Sequence, residues 1–355
     1  MPDGSRHSPN IVFALTGPPL ALTVSKVTLP PEPTPDGHAP SSAASPSGLP
    51  PGDPGVSKWM DLDGPVHYRD YGGPAGGPLV VCVHGLGGCH ASWSALAPLL
   101  SRDCRMVAPD LVGFGRTPTV GRSTSVRANQ RIVDRFLTQL SDEPAVLVGN
   151  SMGGMIAAMQ ATERPGSVRG LVLVDPVLPA LRGVRQDPVV AATFALYAAP
   201  VIGRAMLAVR RRCVNPARAA RDSFRFSCSD HRRVPAEVID EHVRIAVDQA
   251  EDEESDRGFL AASRSLLRVM LRSTRYVGTL RSVRAPVLLL HGARDRFVPL
   301  SAATAVARAI PRWQFAVAPD TGHLPHLESP RWTADMIKEW FAGPGRISFG
   351  LSEGT

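Results

Sequence analysis

Gly149-Asn150-Ser151-Met152-Gly153-Gly154 is the stretch whose reading decides the fold. The apolar run before it, Ala145-Val146-Leu147-Val148, reads as a buried strand. Met155-Ile156-Ala157-Ala158-Met159-Gln160-Ala161 after it reads as a helix. A serine flanked by glycines at two residues' distance, between strand and helix, fits the G-x-S-x-G turn. Such a turn is so tight that side chains at the glycine positions collide with the adjoining strand or helix. The following helix aims its unpaired N–H groups at the place where negative charge would develop beside the serine. Taken alone, the hexapeptide is as readily a glycine-rich turn carrying an incidental serine, so its surroundings have to decide.

Upstream, Trp59 to Leu62 and Val66 to Tyr71, joined by Asp63-Gly64-Pro65, predict an antiparallel hairpin. Leu79-Val80-Val81-Cys82-Val83 is a continuous apolar run of the kind found in strands covered on both faces. A helical pattern through Trp93, Leu96, Leu99 and Leu100 follows, then a short strand from Arg105 to Asp110 and a helix over 126–140. Downstream comes the strand Leu171 to Asp175. The alternation then stops: residues 177–284 hold helical stretches and no strong strand, and are expected to form an inserted cap. Strands at Ala285 to Leu290 and Trp313 to Val317, with helices near 301–310 and 331–341, resume the pattern. Strands and helices alternating at this rhythm predict an α/β domain with a mostly parallel, doubly wound sheet, built from residues 56–176 and 285–346.

The 355 residues are 43% hydrophobic, enough for a large core. The formal charge is +7, yet Lys26, Lys58 and Lys338 are the only lysines among 39 basic residues. No basic stripe interleaved with aromatics and no nucleic-acid module is present, so a nucleic-acid partner is not expected. The five cysteines, Cys82, Cys89, Cys104, Cys213 and Cys228, include no C-x-x-C pair, so no zinc is expected and reduced thiols in a cytoplasmic protein are. Export, which would permit a Cys213–Cys228 bridge, is the alternative. Residues 1–55 carry 13 of the 34 prolines and are expected to be mostly disordered. An apolar run at Ile11 to Leu22 is broken by Gly17-Pro18-Pro19 and makes a poor signal peptide. Residues 347–355 read as a tail.

A nucleophilic serine needs a base and an acid that orients the base, in the chain order serine, acid, histidine for this kind of turn. Asp295, in His291-Gly292-Ala293-Arg294-Asp295, and His323, in Asp320-Thr321-Gly322-His323-Leu324-Pro325-His326, each stand just after an expected strand. In this scheme His323 takes the Ser151 proton, and Asp295 fixes its tautomer and stabilises the imidazolium. His326 is the rival base and Asp175 the rival acid. The oxyanion would be held by backbone N–H groups: that of Met152, after the serine, and that of Leu86 in His84-Gly85-Leu86-Gly87-Gly88. His84 reads as a structural side chain beneath that loop.

With these segments in view, the chain resembles the α/β-hydrolase superfamily over roughly residues 56–345. HGLGG, DLVGFGRT, GNSMGG, LVDP, HGARDRFVP and GHLPHLESP stand in the superfamily's order. The resemblance implies Ser151, Asp295 and His323 as the triad, Leu86 and Met152 as oxyanion donors, and no cofactor. GNSMGG is also similar to the elbow of carbon–carbon bond hydrolases, whose oxyanion loop usually has a glycine-proline step where this chain has Leu86-Gly87-Gly88. Serine at 151 argues against epoxide hydrolase or dehalogenase chemistry, which needs a carboxylate nucleophile. The expected activity is hydrolysis of an apolar or lipid-like carboxylic ester. A carbon–carbon hydrolase, a thioesterase and a ligand-binding receptor on the same fold are the alternatives. In the cap, the apolar stretch Val189 to Val209, broken at Pro200 and followed by Arg210-Arg211-Arg212, predicts two lid helices over an acyl site, with weak membrane-surface contact.

Overall fold

Eight strands form one sheet in the order β1-β2-β4-β3-β5-β6-β7-β8 in a computed structural model that describes residues 55–179 and 183–343. The described residues all belong to the unit Ser45–Thr355. The elements run β1 (Val56–Asp61), β2 (Pro65–Asp70), β3 (Leu79–Val83), α1 (Ala97–Leu100), β4 (Arg105–Pro109), α2 (Val126–Leu140), β5 (Ala145–Asn150), α3 (Met152–Glu163) and β6 (Val168–Val174). Helices α4 (Pro188–Ala198), α5 (Pro200–Cys213), α6 (Pro216–Ser227), α7 (Ala236–Asp248), α8 (Glu253–Leu271) and α9 (Ser273–Ser282) follow without an intervening strand. Then come β7 (Val287–Gly292), α10 (Leu300–Ala309), β8 (Gln314–Ala318), α11 (Pro325–Glu328) and α12 (Pro330–Ala342). The disorder expected for residues 1–55 and the tail at 347–355 fall outside the described residues, Gly55 excepted.

The β1–β2 hairpin and the β2–β4 pair are antiparallel, and every other pair is parallel. Parallel strands covered on both faces need apolar side chains along their length, and β3 supplies them throughout and β5 over Ala145 to Val148. In β5, Ala145 and Leu147 face the layer of α2 and α3, while Val146 and Val148 face that of α1 and α12. Leu79, Val81 and Val83 against Val80 and Cys82 divide β3 the same way. From β3 the chain steps outward to β4 and then returns to the other side of β3 as β5. This reversal leaves a crevice beyond the C-terminal ends of β3 and β5, where ligands settle in open α/β sheets.

One expected element differs in detail, and one element is new. The helical pattern through Trp93 and Leu100 is split into a 3-10 turn at His90–Trp93 and α1. Pro98 stands in the first turn of α1, where its missing N–H costs nothing, so the chain restarts a helix there instead of continuing one. The short helix α11 was not anticipated. Among the described residues no single helix is long and apolar enough to cross a membrane; α4 and α5 reach that length only as a pair bent by 106° at Ala199–Pro200.

Candidate active site

Ser151 stands between β5 and α3 with φ 53° and ψ −118°, a conformation that L-residues adopt at a cost of about 1–3 kcal/mol. The glycines explain how the turn closes. A Cβ on Gly149 would stand 2.6 Å from the Gly153 carbonyl oxygen, and one on Gly153 would stand 2.0 Å from the oxygen of Val83, at the end of β3. On Gly85, after β3, it would reach 3.1 Å from the Ser151 Cβ. The turn and the loop after β3 therefore touch backbone to backbone in the crevice. Leu86 follows Gly85, and Gly87 turns with φ 73°. The N–H groups of Leu86 and Met152 donate to no acceptor among the described residues, as donors reserved for a ligand would.

Asp295 and His323 arrive from the next two loops. A Cβ on Gly292, the last residue of β7, would lie 2.0 Å from the Gly322 oxygen, so glycine at 292 lets the two loops pack together. His323 Nδ1 then donates to Asp295 Oδ2 at 2.7 Å. The other oxygen, Asp295 Oδ1, accepts the N–H of Phe297 at 2.7 Å and of Val298 at 3.1 Å. Burial pushes the Asp295 carboxyl up, but the His323 charge and hydrogen bond override it and hold Asp295 below its ordinary value. Asn150 ties this pair to the serine turn: its Nδ2 donates to the carbonyls of Val174 at 3.1 Å and His323 at 3.2 Å. Ser151, Asp295 and His323 thus stand after β5, β7 and β8 along one edge of the sheet.

A family model described as alpha/beta hydrolase fold matches residues 78–330. The chain belongs to the α/β-hydrolase fold family. This hydrolase is 30% identical to a pimeloyl-[acyl-carrier protein] methyl ester esterase of Aromatoleum aromaticum, over 75% of its own length and 99% of that protein. It is 23% identical to human monoacylglycerol lipase ABHD6 over 78% of its own length and 81% of the relative. Among solved structures, it resembles a thermophilic esterase from Thermogutta terrifontis with TM-score 0.62 and 26% identity, covering 81% of this chain and 98% of the other. Ester hydrolases thus stand among the relatives of this hydrolase in sequence and in structure.

The rival base stands apart from the Asp295–His323 hydrogen bond, and the rival acid lies beside Asp295. His326 is buried against Trp93, ring centroids 4.5 Å apart, and burial drives it down to about 3, so it stays neutral at pH 7. His84 links the loop after β3 to the sheet: Nδ1 donates to the Gly85 carbonyl at 2.8 Å and Nε2 accepts the Leu111 N–H at 3.0 Å. Asp175 is buried behind Asp295. The five cysteines are free thiols, Cys213 exposed and the others buried.

Several residues that shape the site went unread in the sequence. Glu328, in α11, accepts the N–H of Gly322 at 2.8 Å and those of Ser229 and Asp230, and pairs with Arg233. With the His323 N–H donating to the Ser227 carbonyl at 2.8 Å, it binds the loop of His323 to the inserted helices. An acid five residues after the histidine, between Leu327 and Ser329, was the signal available. Asp110 is a second hub. It takes the His67 Nδ1 at 2.8 Å, the His90 N–H at 2.6 Å and Nδ1 at 2.9 Å, and the Arg116 N–H at 2.9 Å. His67, His90 and Asp110 lie close enough together to share an ion, as do Asp175, His291 and Asp295. Neither set is assigned as a metal centre: the Asp110 oxygens are saturated by protein donors, and the Asp295–His323 hydrogen bond runs through the other set. Surface clefts of about 580 Å³, beside Arg281 and Arg312, and about 230 Å³, beside Arg116 and Gln249, are lined by none of Ser151, Asp295 and His323.

Aromatic side chains crowd the site. Phe297 stacks on His323 with centroids 4.7 Å apart, and Phe226 of α6 meets Phe297 edge-on at 5.3 Å. Phe259 of α8 stands 3.5 Å from where a Cβ on Gly87 would be, and Tyr197 of α4 meets Phe259 edge-on at 5.2 Å.

Proposed function

We propose that this hydrolase cleaves carboxylic esters of apolar acyl groups through an acyl-enzyme on Ser151. The Ser151 hydroxyl attacks the ester carbonyl while His323 Nε2 takes its proton, and the oxyanion is received by the N–H groups of Leu86 and Met152. The imidazolium returns the proton to the departing alcohol as the carbon–oxygen bond breaks. Water, deprotonated by the same ring, then attacks the acyl-enzyme, and the acid leaves as Ser151 regains its proton. Asp295 carries the tautomer requirement: its acceptor at Nδ1 leaves the lone pair on Nε2.

The observation that carries the reading is the 2.7 Å bond from His323 to Asp295, tied through Asn150 to a serine held at positive φ. Phe297, Phe226, Phe259 and Tyr197 favour an apolar acyl chain over a charged one. The exposed bend at Val201 and Ile202, flanked by Arg204 and Arg210, favours weak contact with a lipid surface through α4 and α5. Hydrolysis of p-nitrophenyl esters from acetate to palmitate tests the substrate class. A maximum beyond acetate is expected. No turnover of any ester by the folded protein would overturn the reading and favour a carbon–carbon hydrolase, a thioesterase or a receptor.

A further inference from the structure

Behind Asp295 lies a second carboxyl that the reaction as described leaves unused. Asp175 follows β6 with φ 43° and is wholly buried. Its Oδ1 accepts the Gly292 N–H at 2.9 Å and lies 3.1 Å from His291 Nδ1, while its buried Oδ2 has no donor among the described residues. The imidazole supplies none. His291 Nε2 lies 2.9 Å from the Val298 carbonyl, a pure acceptor, so the ring proton sits there and Nδ1 keeps a lone pair, itself without a partner. One ligand atom from each of the three groups lies within 4.8 Å of the others, so the two carboxyls and the imidazole share one buried cluster. Acceptors facing one another away from water repel, and one proton turns the repulsion into a bond.

We propose that Asp175 is a carboxylic acid in the working enzyme, donating its O–H to the Asp295 carboxylate and so fixing that carboxylate toward His323. Asp175 is then a positioning residue, acting on the base only through Asp295. The charges around it agree. From β7 it faces His291, which burial keeps neutral; from the adjoining loops, Asp295 and His323; and from α11, Glu328, paired with Arg233. Burial and the Asp295 charge hold the Asp175 carboxyl well above its ordinary value.

The inference rests on the serine-hydrolase reading, and the test separates the two. The pH dependence of kcat/KM on a p-nitrophenyl ester is measured for the wild type, Asp175→Asn, Asp175→Ala and Ser151→Ala. Asn replaces a neutral acid by a neutral amide that still donates, so kcat stays within about threefold and the acid limb of the profile stays in place. Ala removes the donor and leaves Asp295 more basic. The acid limb then moves to higher pH and kcat falls about 10- to 100-fold, the worth of a hydrogen bond to a charged group. An infrared band of a protonated carboxyl, present in the wild type at pH 7 and missing in Asp175→Asn, is expected independently of turnover, and its absence from the wild type would overturn the proposal. An acid limb displaced to lower pH in Asp175→Asn would mean that a negative charge had been removed, and would also overturn it. Activity surviving in Ser151→Ala would instead sink the underlying reading.

Discussion

At the scale of single residues, the site is held by contacts that leave no room for substitution. Asn150 is the side chain through which the serine turn feels the His323 loop. Asn150→Ala is expected to lower kcat/KM about tenfold, one hydrogen bond's worth of misplacement, with KM little changed; steady-state kinetics on a short-chain ester checks it. Gly153 is constrained differently: the 2.0 Å approach of a Cβ to the Val83 oxygen is against backbone, which cannot swing aside. Gly153→Ala should therefore cost about 3 kcal/mol in a urea titration, at the upper end of ordinary overpacking. Both effects arise from what surrounds the serine, and the Gly153 effect is read without turnover.

At the scale of elements, the inserted helices hold the core at named points. Glu241 of α7 reaches Arg116 at 2.9 Å and His90 at 3.6 Å, beside the loop that carries Leu86. Hydrogen bonding to His90, together with Arg244 and Arg116, keeps Glu241 down at about 2 against the opposing effect of burial. A carboxyl held below its unfolded value of about 4.3 contributes stability that is complete above that pH and lost as pH falls toward 2. The melting temperature of Glu241→Gln should accordingly lie below that of the wild type at pH 6, with the gap closing between about pH 5 and pH 2. A constant gap would show that the charge of Glu241 does not matter.

This clasp also marks where the sequence stopped being readable. The places of Ser151, Asp295 and His323 just after strands were legible because each follows an apolar run within six residues, and period and order are local properties. Helix α2 at 126–140 was legible from its spacing alone. The partners Asn150, Glu328, Asp110 and Glu241 were not, because each acts across the fold: Glu241 meets Arg116 from 125 residues away, and no local pattern records such a pair. The split before α1 differs in kind: the apolar spacing through Trp93 and Leu100 runs on across Pro98, where the helix restarts.

At the scale of the whole molecule, the sheet reversal at β3 and β5 puts the Ser151 turn and the Leu86 loop in one crevice, and the insertion between β6 and β7 brings Phe259 against Gly87 and Phe226 against Phe297. The outer edge of the insertion is unlike the rest of the surface. Val201 and Ile202 are 71% and 53% exposed at the α4–α5 bend, and residues 188–213 contain arginines but no acidic residue. Vesicles of phosphatidylcholine with phosphatidylglycerol should sediment the protein, less so at high salt, and the double substitution Val201→Asp, Ile202→Asp should abolish that binding while sparing turnover of a short soluble ester. Equal binding to neutral and anionic vesicles would remove the role given to the arginines.

The proposed mechanism requires Ser151 to become covalently acylated, and stoichiometric labelling of that residue tests it. Diethyl p-nitrophenyl phosphate transfers a phosphoryl group to an activated serine and releases nitrophenol, so label, release and activity are followed together. One equivalent of label is expected, mapped to the peptide bearing Ser151, with activity lost in proportion and no label on Ser151→Ala. Label on another residue, or full activity in protein labelled to one equivalent, would contradict it.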